Sequence, residues 1–324
     1  MRRRRLEGDE PRIMKREEKM QDLVTLVVVL SVVAGGCALA VEGGSLAESE
    51  VEKVADGFKF TEGPMWHPDG YLIFSDIPAD TIFSLREGET DVFRRPSGNS
   101  NGLTFDNDGR LIACEHGNRR VSRTEPDGRV VALAARYEGK RLNSPNDVVV
   151  KSDGAVYFTD PPYGVRPDER ELDFQGLYRI SPEGELTLLA DDFNKPNGLA
   201  FSPDEEVLYV ADTQEQHVRA FDVQADGTLA NGRVFYEVSP PERLGADGMK
   251  VDTEGNLYIA ATDGVVIVSP QGEHLETIPV AERPANLAFG DDGRTLYLTA
   301  QHSIYRVRTK HAGTVYAGRF LRSR

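Results

Sequence analysis

The stretch KFTEGPMWHPDGYLIFSD, residues 59–76, places two apolar runs on either side of an Asp-Gly turn. An Asp-Gly pair between apolar runs is typical of a β-hairpin. A similar arrangement, with a turn of Asp or Glu and usually Gly, recurs five times, so this stretch is one copy of a repeat. The other copies are NGLTFDNDGRLIACE (101–115), NDVVVKSDGAVYFTD (146–160), NGLAFSPDEEVLYVAD (197–212), DGMKVDTEGNLYIAAT (247–262) and ANLAFGDDGRTLYLTA (285–300).

The spacing of the six hairpins predicts the fold. Successive copies start 38 to 51 residues apart, which suits one four-stranded propeller blade per copy. A hairpin alone cannot bury its apolar face, so neighbouring sheets must pack on one another. We therefore predict an all-β, six-bladed β-propeller, with residues 51–54 as the outer strand that closes the last blade. A β-sandwich is the alternative, but it does not predict six regularly spaced hairpins.

The N-terminal segment differs in kind from the repeats. Its apolar run LVTLVVVLSVV (23–33) has 11 residues, which is short for a membrane span and matches the core of a signal peptide. Ala38-Leu39-Ala40 fits a cleavage site, which gives a signal peptide over 1–40 and a mature domain over 41–324. Gly35-Gly36-Cys37 is an alternative lipoprotein site, with Cys37 acylated, and an uncleaved anchor is a third reading. We expect an exported protein that is periplasmic, secreted or anchored as a lipoprotein.

Net charge limits the kinds of partner that the protein can bind, and cysteine content limits its disulfides. The chain of 324 residues has a formal net charge of −15, which argues against nucleic acid or anionic lipid as a partner. Cleavage before Val41 would leave Cys114 as the one cysteine, so no internal disulfide is expected. The only membrane contact foreseen is a lipid on Cys37. The sequence carries no signal for an oligomeric state.

One position recurs at the start of each inner strand, about eight residues before the turn. Five of its six occupants carry a side-chain oxygen, and in chain order they are Glu62, Asn101, Asn146, Asn197, Asp247 and Ala285. Turn chemistry explains Asn before Gly at 101 and 197. It does not explain Glu62 or Asp247.

These oxygens predict a metal site in the central channel. The first residues of the innermost strands share one rim of a propeller's channel, so the five side chains should converge there. Two carboxylates at close quarters repel each other unless a cation lies between them. Oxygen donors without thiolate favour one divalent ion, Ca²⁺ first, with Mg²⁺, Mn²⁺ or Zn²⁺ as alternatives.

The loops that follow each second strand return to the same rim, so they also surround the predicted pocket. Loops on one face of a rigid scaffold are where recognition usually sits. They bring Glu115, His116, Tyr163 and His302 to this face. A lone histidine is more often a hydrogen-bonding wall residue than a catalyst.

Several segments resemble one family. They are TEGPMW, SNGLTF, CEHGNRRV, RLNSPNDVVV, YFTDPPYG, KPNGLAFSPD and GADGMKVD, spread from about Glu50 to Tyr305. In order, they resemble the gluconolactonase and regucalcin family of six-bladed propellers, and most of all its bacterial gluconolactonases. The resemblance implies divalent-metal ligands at Glu62, Asn146, Asn197 and Asp247, a substrate contact at Asn101, and a general base or water-orienting role for Asp247.

We therefore expect metal-dependent hydrolysis of a small-molecule sugar lactone, of the glucono-1,5-lactone type. The metal would polarise the carbonyl and Asp247 would orient or deprotonate water. Substrate-binding residues would be Asn101, Glu115, His116, Tyr163 and His302.

Two other functions fit the same sequence. A phosphotriesterase or arylesterase could use the same metal site, because a Lewis-acidic ion also suits a phosphoryl oxygen. A polar rim favours sugars over such substrates. A non-catalytic, exported propeller that binds a ligand, with calcium purely structural, is the third hypothesis, since propellers host many functions.

Overall fold

The computed structural model describes residues 44–238 and 245–314, and the structural statements below refer to these ranges. The predicted signal segment 1–40, including Cys37, lies outside the described residues. The described chain forms six four-stranded antiparallel sheets. The prediction of an all-β, six-bladed propeller is confirmed.

The first strand, β1 (Glu52–Asp56), precedes blade 1. In each of the six blades, the chain begins at the innermost strand and moves outward. The innermost strands of neighbouring blades contact each other around the channel. Blade 1 consists of β2 (Thr61–His67), β3 (Tyr71–Asp76), β4 (Thr81–Arg86) and β5 (Glu89–Arg94). Blade 2 consists of β6 (Ser100–Phe105), β7 (Leu111–Glu115), β8 (Arg120–Thr124) and β9 (Val130–Ala134).

A two-stranded hairpin, β10 (Arg136–Tyr137) and β11 (Lys140–Arg141), leads into blade 3. Blade 3 consists of β12 (Val148–Val150), β13 (Val156–Asp160), β14 (Gly176–Ile180) and β15 (Leu186–Ala190). Blade 4 consists of β16 (Pro196–Phe201), β17 (Val207–Asp212), β18 (His217–Val223) and β19 (Leu229–Glu237). Blade 5 consists of β20 (Met249–Val251), β21 (Leu257–Ala261), β22 (Gly264–Val268) and β23 (His274–Ile278).

Blade 6 closes the ring with strands from both ends of the described chain. It contains β24 (Asn286–Gly290), β25 (Thr295–Ala300) and β26 (Ser303–Arg308), and β1 is its outer strand. Glu52 pairs with Arg306, and Asp56 pairs with Ser303. The prediction that the segment before the first hairpin closes the last blade is confirmed.

The hydrophobic core lies between neighbouring blades. Blades 2 and 3, for example, share a buried cluster that includes Ile112, Cys114, Phe158 and Tyr178. Helical structure is confined to two short 3₁₀ turns in the described ranges, Ile77–Ala79 and Pro167–Glu169. None of the described helices has the length and apolarity to cross a membrane. The blades therefore hold their inner strands as a rigid frame for one end of the channel.

Candidate metal and active site

The five oxygen-bearing residues lie at the same place in five blades and are all buried. We call Glu62, Asn101, Asn146, Asn197 and Asp247 the ring residues. Their relative exposure ranges from 2% for Asn101 to 9% for Asp247. Glu62, Asn101 and Asn197 lie in inner strands, whereas Asn146 and Asp247 come two residues before theirs. The sixth position, Ala285, carries no donor.

A break in strand pairing accompanies the ring residues in three blades. The register between first and second strands shifts between Glu62 and Met65, between Ser100 and Leu103, and between Pro196 and Leu199. Such bulges bend a strand and redirect its side chains, and they are common beside functional sites. The bulges thus give Glu62, Asn101 and Asn197 an orientation that regular pairing would not.

The backbone around the ring is close-packed. The N–H of Gly102, next to Asn101, donates to the carbonyl of Asn146 at 2.8 Å. A Cβ at Gly102 would lie 2.7 Å from that carbonyl oxygen and 2.6 Å from Oδ1 of Asp147. Only glycine allows the backbones to approach this closely, so Gly102 lets blade 2 pack directly against the chain that leads into blade 3.

The loops that lead into the ring are held by carboxylates. Asp160, at the end of β13, accepts the backbone N–H groups of Asn143 and Ser144, each at 2.7 Å, just before Asn146. Asp76 holds the loop before Glu62, and Asp212 the loop before Asn197, in the same way. These strand-end carboxylates therefore position the ring.

Two ring carboxylates lie within electrostatic reach of each other. Burial, and then the charge of Asp247, raises the pKa of Glu62 well above its usual range. Burial also raises the pKa of Asp247, while the nearby guanidinium of Arg283 opposes that rise. A cation between the two carboxylates would favour their ionised forms and so oppose both shifts.

The amides of the ring are only partly hydrogen-bonded. Asn101 Nδ2 donates to Oδ1 of Asn146 at 3.1 Å and lies 3.4 Å from Nε2 of His116. Asn197 Nδ2 donates to Oγ1 of Thr213 at 3.0 Å. These contacts use the Nδ2 groups of Asn101 and Asn197. They do not use the amide oxygens of the same two side chains.

Three ring oxygens are buried without a hydrogen-bond partner. They are Oδ1 of Asn101, Oδ1 of Asn197 and Oδ1 of Asp247. A buried acceptor left unsatisfied costs about 1–3 kcal/mol, so each of the three calls for a partner. A hard divalent cation bound by carboxylate and amide oxygens would serve Asn197 and Asp247, and a bound hydroxyl group would serve Asn101. The residues present thus fit such an ion.

Within 44–238 and 245–314, no group of three or more His, Cys, Asp or Glu side chains is close enough to hold a metal. The ring contributes only two residues of those types, and its remaining oxygens belong to asparagine amides.

His116 and Tyr163 lie beside the ring. Burial lowers the pKa of His116 to about 4, so its imidazole is neutral at neutral pH. Burial, and then the charge of Asp247, raises the pKa of Tyr163 to about 12. Both residues therefore offer neutral hydrogen-bonding groups at the mouth of the channel.

The structure does not bring Glu115 into the ring. Its carboxylate is 1% exposed and accepts from Arg120 Nε at 2.7 Å, Arg94 Nη2 at 3.3 Å and Asn118 Nδ2 at 2.6 Å. The Ser122 hydroxyl also donates to it. Glu115 borders a groove of about 1000 Å³ between blades 1 and 2, which no ring residue lines. We place the candidate site at the ring, because three of the ring oxygens are buried without partners.

His302 is placed at the outer rim. It is exposed on the turn between β25 and β26, where Nδ1 lies 3.2 Å from the carbonyl oxygen of Phe58. Nδ1 must donate in this contact, since a carbonyl only accepts. Its contacts tie the last blade to the chain before blade 1.

Sequence reasoning missed three polar residues beside the ring. Arg283 Nη2 lies 3.6 Å from Oδ2 of Asp247, and Asn286 Nδ2 donates to Oδ2 of Asp147 at 3.4 Å. Asp147 and Asn286 each follow a ring position, where the other blades have glycine. That contrast was visible in the six hairpins. Arg283 belongs to a loop outside the repeat and left no such signal.

Fold and site together define a six-bladed β-propeller with a buried, oxygen-lined site at one end of its channel. Residues 60–302 match the family model described as the SMP-30/Gluconolactonase/LRE-like region. The chain belongs to this family, and the resemblance of its motifs is confirmed.

Named relatives cover most of the chain. It is 35% identical over 293 residues to the gluconolactonase of Zymomonas mobilis, covering 81% of this chain and 82% of that protein. It is 30% identical over 260 residues to a pentonolactonase of Haloferax volcanii, covering 77% and 84%. The structure of a Xanthomonas campestris gluconolactonase has 36% identity and a TM-score of 0.74, covering 80% of this chain and 89% of that one. The protein is thus a hydrolase of the gluconolactonase type.

Proposed function

We propose that the protein hydrolyses sugar lactones, of the glucono-1,5-lactone type, with the help of one divalent metal ion held by the ring. One observation carries the proposal: ring oxygens of Asn101, Asn197 and Asp247 are buried without hydrogen-bond partners, and the Asp247 carboxylate lies within electrostatic reach of Glu62. The names of its gluconolactonase and pentonolactonase relatives support the lactone as substrate class.

The ligands would be Glu62, Asn146, Asn197 and Asp247. Oxygen-only donors favour Ca²⁺ over softer metals. Oδ1 of Asn146 already accepts from Asn101, so it would serve the ion through its second lone pair. When bound, the ion polarises the lactone carbonyl and stabilises negative charge on its oxygen.

Asp247 has two oxygens with different surroundings. Oδ1 is buried without a partner, and Oδ2 lies 3.6 Å from the Arg283 guanidinium. That cation favours the ionised carboxylate, which can accept a proton or a hydrogen bond from water. Asp247 would therefore orient or deprotonate the water that attacks the ester carbon.

Asn101, His116 and Tyr163 would bind the hydroxyl groups of the sugar. All three offer neutral donors and acceptors beside the ring, and neutral groups pair with hydroxyls without a net charge to desolvate. His302 would contact only a substrate that reaches the outer rim. Glu115 has a structural role here, because arginine and amide groups already occupy its carboxylate.

The test is acid release from glucono-1,5-lactone by metal-stripped protein, before and after each divalent ion is restored. Glu62→Gln should lose stoichiometric Ca²⁺ binding, and Asp247→Asn should keep the fold and lose at least about 100-fold in kcat. Asp292→Asn is the matched control, since that exposed carboxylate pairs with Arg308 at a distant turn. A reaction without protein corrects for spontaneous hydrolysis.

Unchanged turnover in Asp247→Asn would contradict its role. Metal binding without any lactone turnover in the wild type would instead favour the non-catalytic propeller.

A further inference from the structure

Two cationic side chains each stand two residues before a ring position. Lys195 precedes Asn197 in blade 4, and Arg283 precedes Ala285 in blade 6. The innermost strands of both blades contact that of blade 5, the blade that Asp247 leads into. Blade 5 is therefore flanked by two cations, in a chain whose formal net charge is −15.

Arg283 has hydrogen-bond donors to spare. Its Nη2 lies 3.6 Å from Oδ2 of Asp247, which is longer than a hydrogen bond. Within residues 44–238 and 245–314 this is its one ionic contact, and its guanidinium makes no hydrogen bond there. A guanidinium carries five N–H donors, and this side chain is only 25% exposed. Donors held out of water in this way call for an acceptor.

Lys195 is better satisfied. Its Nζ donates to Oε1 of Gln214 at 3.0 Å and lies 6.0 Å from the centre of the Tyr163 ring. Of the two cations, Arg283 is therefore the one that is free to bind a ligand beside the ring.

The loop that carries Arg283 is fixed on both sides. The Tyr305 hydroxyl donates to the carboxylate of Glu282 at 3.0 Å, immediately before the arginine. The carbonyl of Ala285, immediately after Pro284, accepts the N–H of Gly248 at 2.8 Å. A cation held on such a loop is preorganised, so little conformational freedom is lost when it binds an anion.

The chemistry of a guanidinium indicates which group it binds. It pairs best with a planar anion such as a carboxylate, through two parallel N–H···O bonds. Asp247 meets only one nitrogen of Arg283, at 3.6 Å, and so does not make that pair. A sugar hydroxyl would accept a hydrogen bond but leave the charge without a partner. The lactone group is itself neutral, so the carboxylate must be a second group on the sugar.

We propose that Arg283 is a specificity-determining residue that binds a carboxylate on the sugar lactone, so that the preferred substrates are lactones of sugar dicarboxylic acids. The inference rests on the proposed lactonase function and names the substrate class for it. The reaction itself is unchanged. Water adds to the lactone carbonyl, the ring C–O bond breaks, and a hydroxyl and a carboxylate form with release of one proton.

The test compares kcat/KM for D-glucaro-1,4-lactone and D-glucono-1,4-lactone, which share a ring and differ only in a carboxylate or a hydroxymethyl group at the far end. The wild type should prefer the glucarolactone at least about tenfold at low ionic strength, and the preference should shrink as salt is added. Arg283→Gln should abolish the preference. Arg283→Lys should keep part of it, because a lysine supplies the charge without the two parallel donors.

Arg129→Gln is the matched control. Its guanidinium also lies 3.6 Å from an aspartate, Asp127, but on a turn of blade 2 where the side chain is 68% exposed. This variant should keep the wild-type preference.

Calorimetric titration with the open-chain acids, glucarate and gluconate, gives a readout that does not depend on turnover. Arg283→Gln should weaken glucarate binding at least about tenfold more than gluconate binding. A role of Arg283 through Asp247 alone would lower kcat for both lactones alike and leave both ratios unchanged.

A wild-type preference below about twofold, or unchanged ratios in Arg283→Gln, would overturn the inference. The wild-type preference and its salt dependence need no variant, so the test stands if Arg283→Gln fails to fold. Hydrolysis of neither lactone would overturn the proposed function, and the binding ratio of the two acids would still decide whether Arg283 recognises the second carboxylate.

Discussion

Gly102→Ala tests whether the ring is as tightly packed as the structure indicates. The added Cβ would lie 2.6 Å from Oδ1 of Asp147, 2.7 Å from the Asn146 carbonyl oxygen and 2.7 Å from the Asp147 Cα, where ordinary contacts start at 3.4 Å. Each contact is therefore about 0.7 Å too short. Two of the three opposing atoms belong to the backbone of Asn146 and Asp147, just before the next inner strand, and a backbone atom cannot rotate away.

The magnitude follows from two opposing effects. Overpacking a well-filled site costs about 1–3 kcal/mol, and the rigid backbone places this position at the upper end. Replacing glycine by alanine also restricts the unfolded chain, which contributes about 0.4–1 kcal/mol in the other direction. We expect the free energy of unfolding to fall by about 2 kcal/mol.

The assay is equilibrium unfolding in urea, with the free energy taken from the midpoint and slope after coincidence of two probes is verified. Gly44→Ala is the control, because a Cβ there meets nothing within 4 Å. Gly102→Ala should also weaken Ca²⁺ binding, since the displaced backbone carries Asn146. Equal stability of the two variants would refute the packing argument.

Two further outcomes are expected. In the folded state the pKa of His116 is lowered to about 4 by burial, so the unfolded chain takes up a proton first as the pH falls below about 6.5. Between pH 7 and pH 4.5, the wild type should therefore lose roughly 2 kcal/mol of unfolding free energy relative to His116→Gln. Urea unfolding at a series of pH values measures this loss. Parallel curves of stability against pH for the two proteins would contradict the burial of this imidazole. Glu115→Gln leaves Arg94 and Arg120 without their buried partner, so unfolding should become easier by about 3 kcal/mol while KM for the lactone stays unchanged. A raised KM at unchanged stability would return Glu115 to the substrate site.

The repeat made most of the fold predictable. Six hairpins with similar turns determine both the number of blades and the position of each inner strand, and residues 51–54 could only continue the last sheet. The ring residues were found because the same position carries an oxygen in five blades. Nothing comparable marks Arg283, since loops between blades differ in length and have no shared register.

Glu115 shows why a rim position alone does not define a contact. It stands where the second strand of blade 2 ends, as predicted, but one of its partners, Arg94, comes from the outer strand of blade 1. Pairing between different blades depends on how the sheets are arranged, and hairpin spacing does not report it. The bulges beside Glu62, Asn101 and Asn197 were likewise invisible in a simple alternating pattern.

The pairing of β1 with β26 has a consequence for how the molecule is assembled. Glu52 pairs with Arg306, which lies almost a whole domain later in the sequence. The ring of blades therefore cannot close until the last blade has emerged from the ribosome. Contacts between such distant parts of a chain slow folding. A truncation ahead of Ser303 would leave blade 6 with two strands and β1 unpaired, which exposes strand edges prone to aggregation.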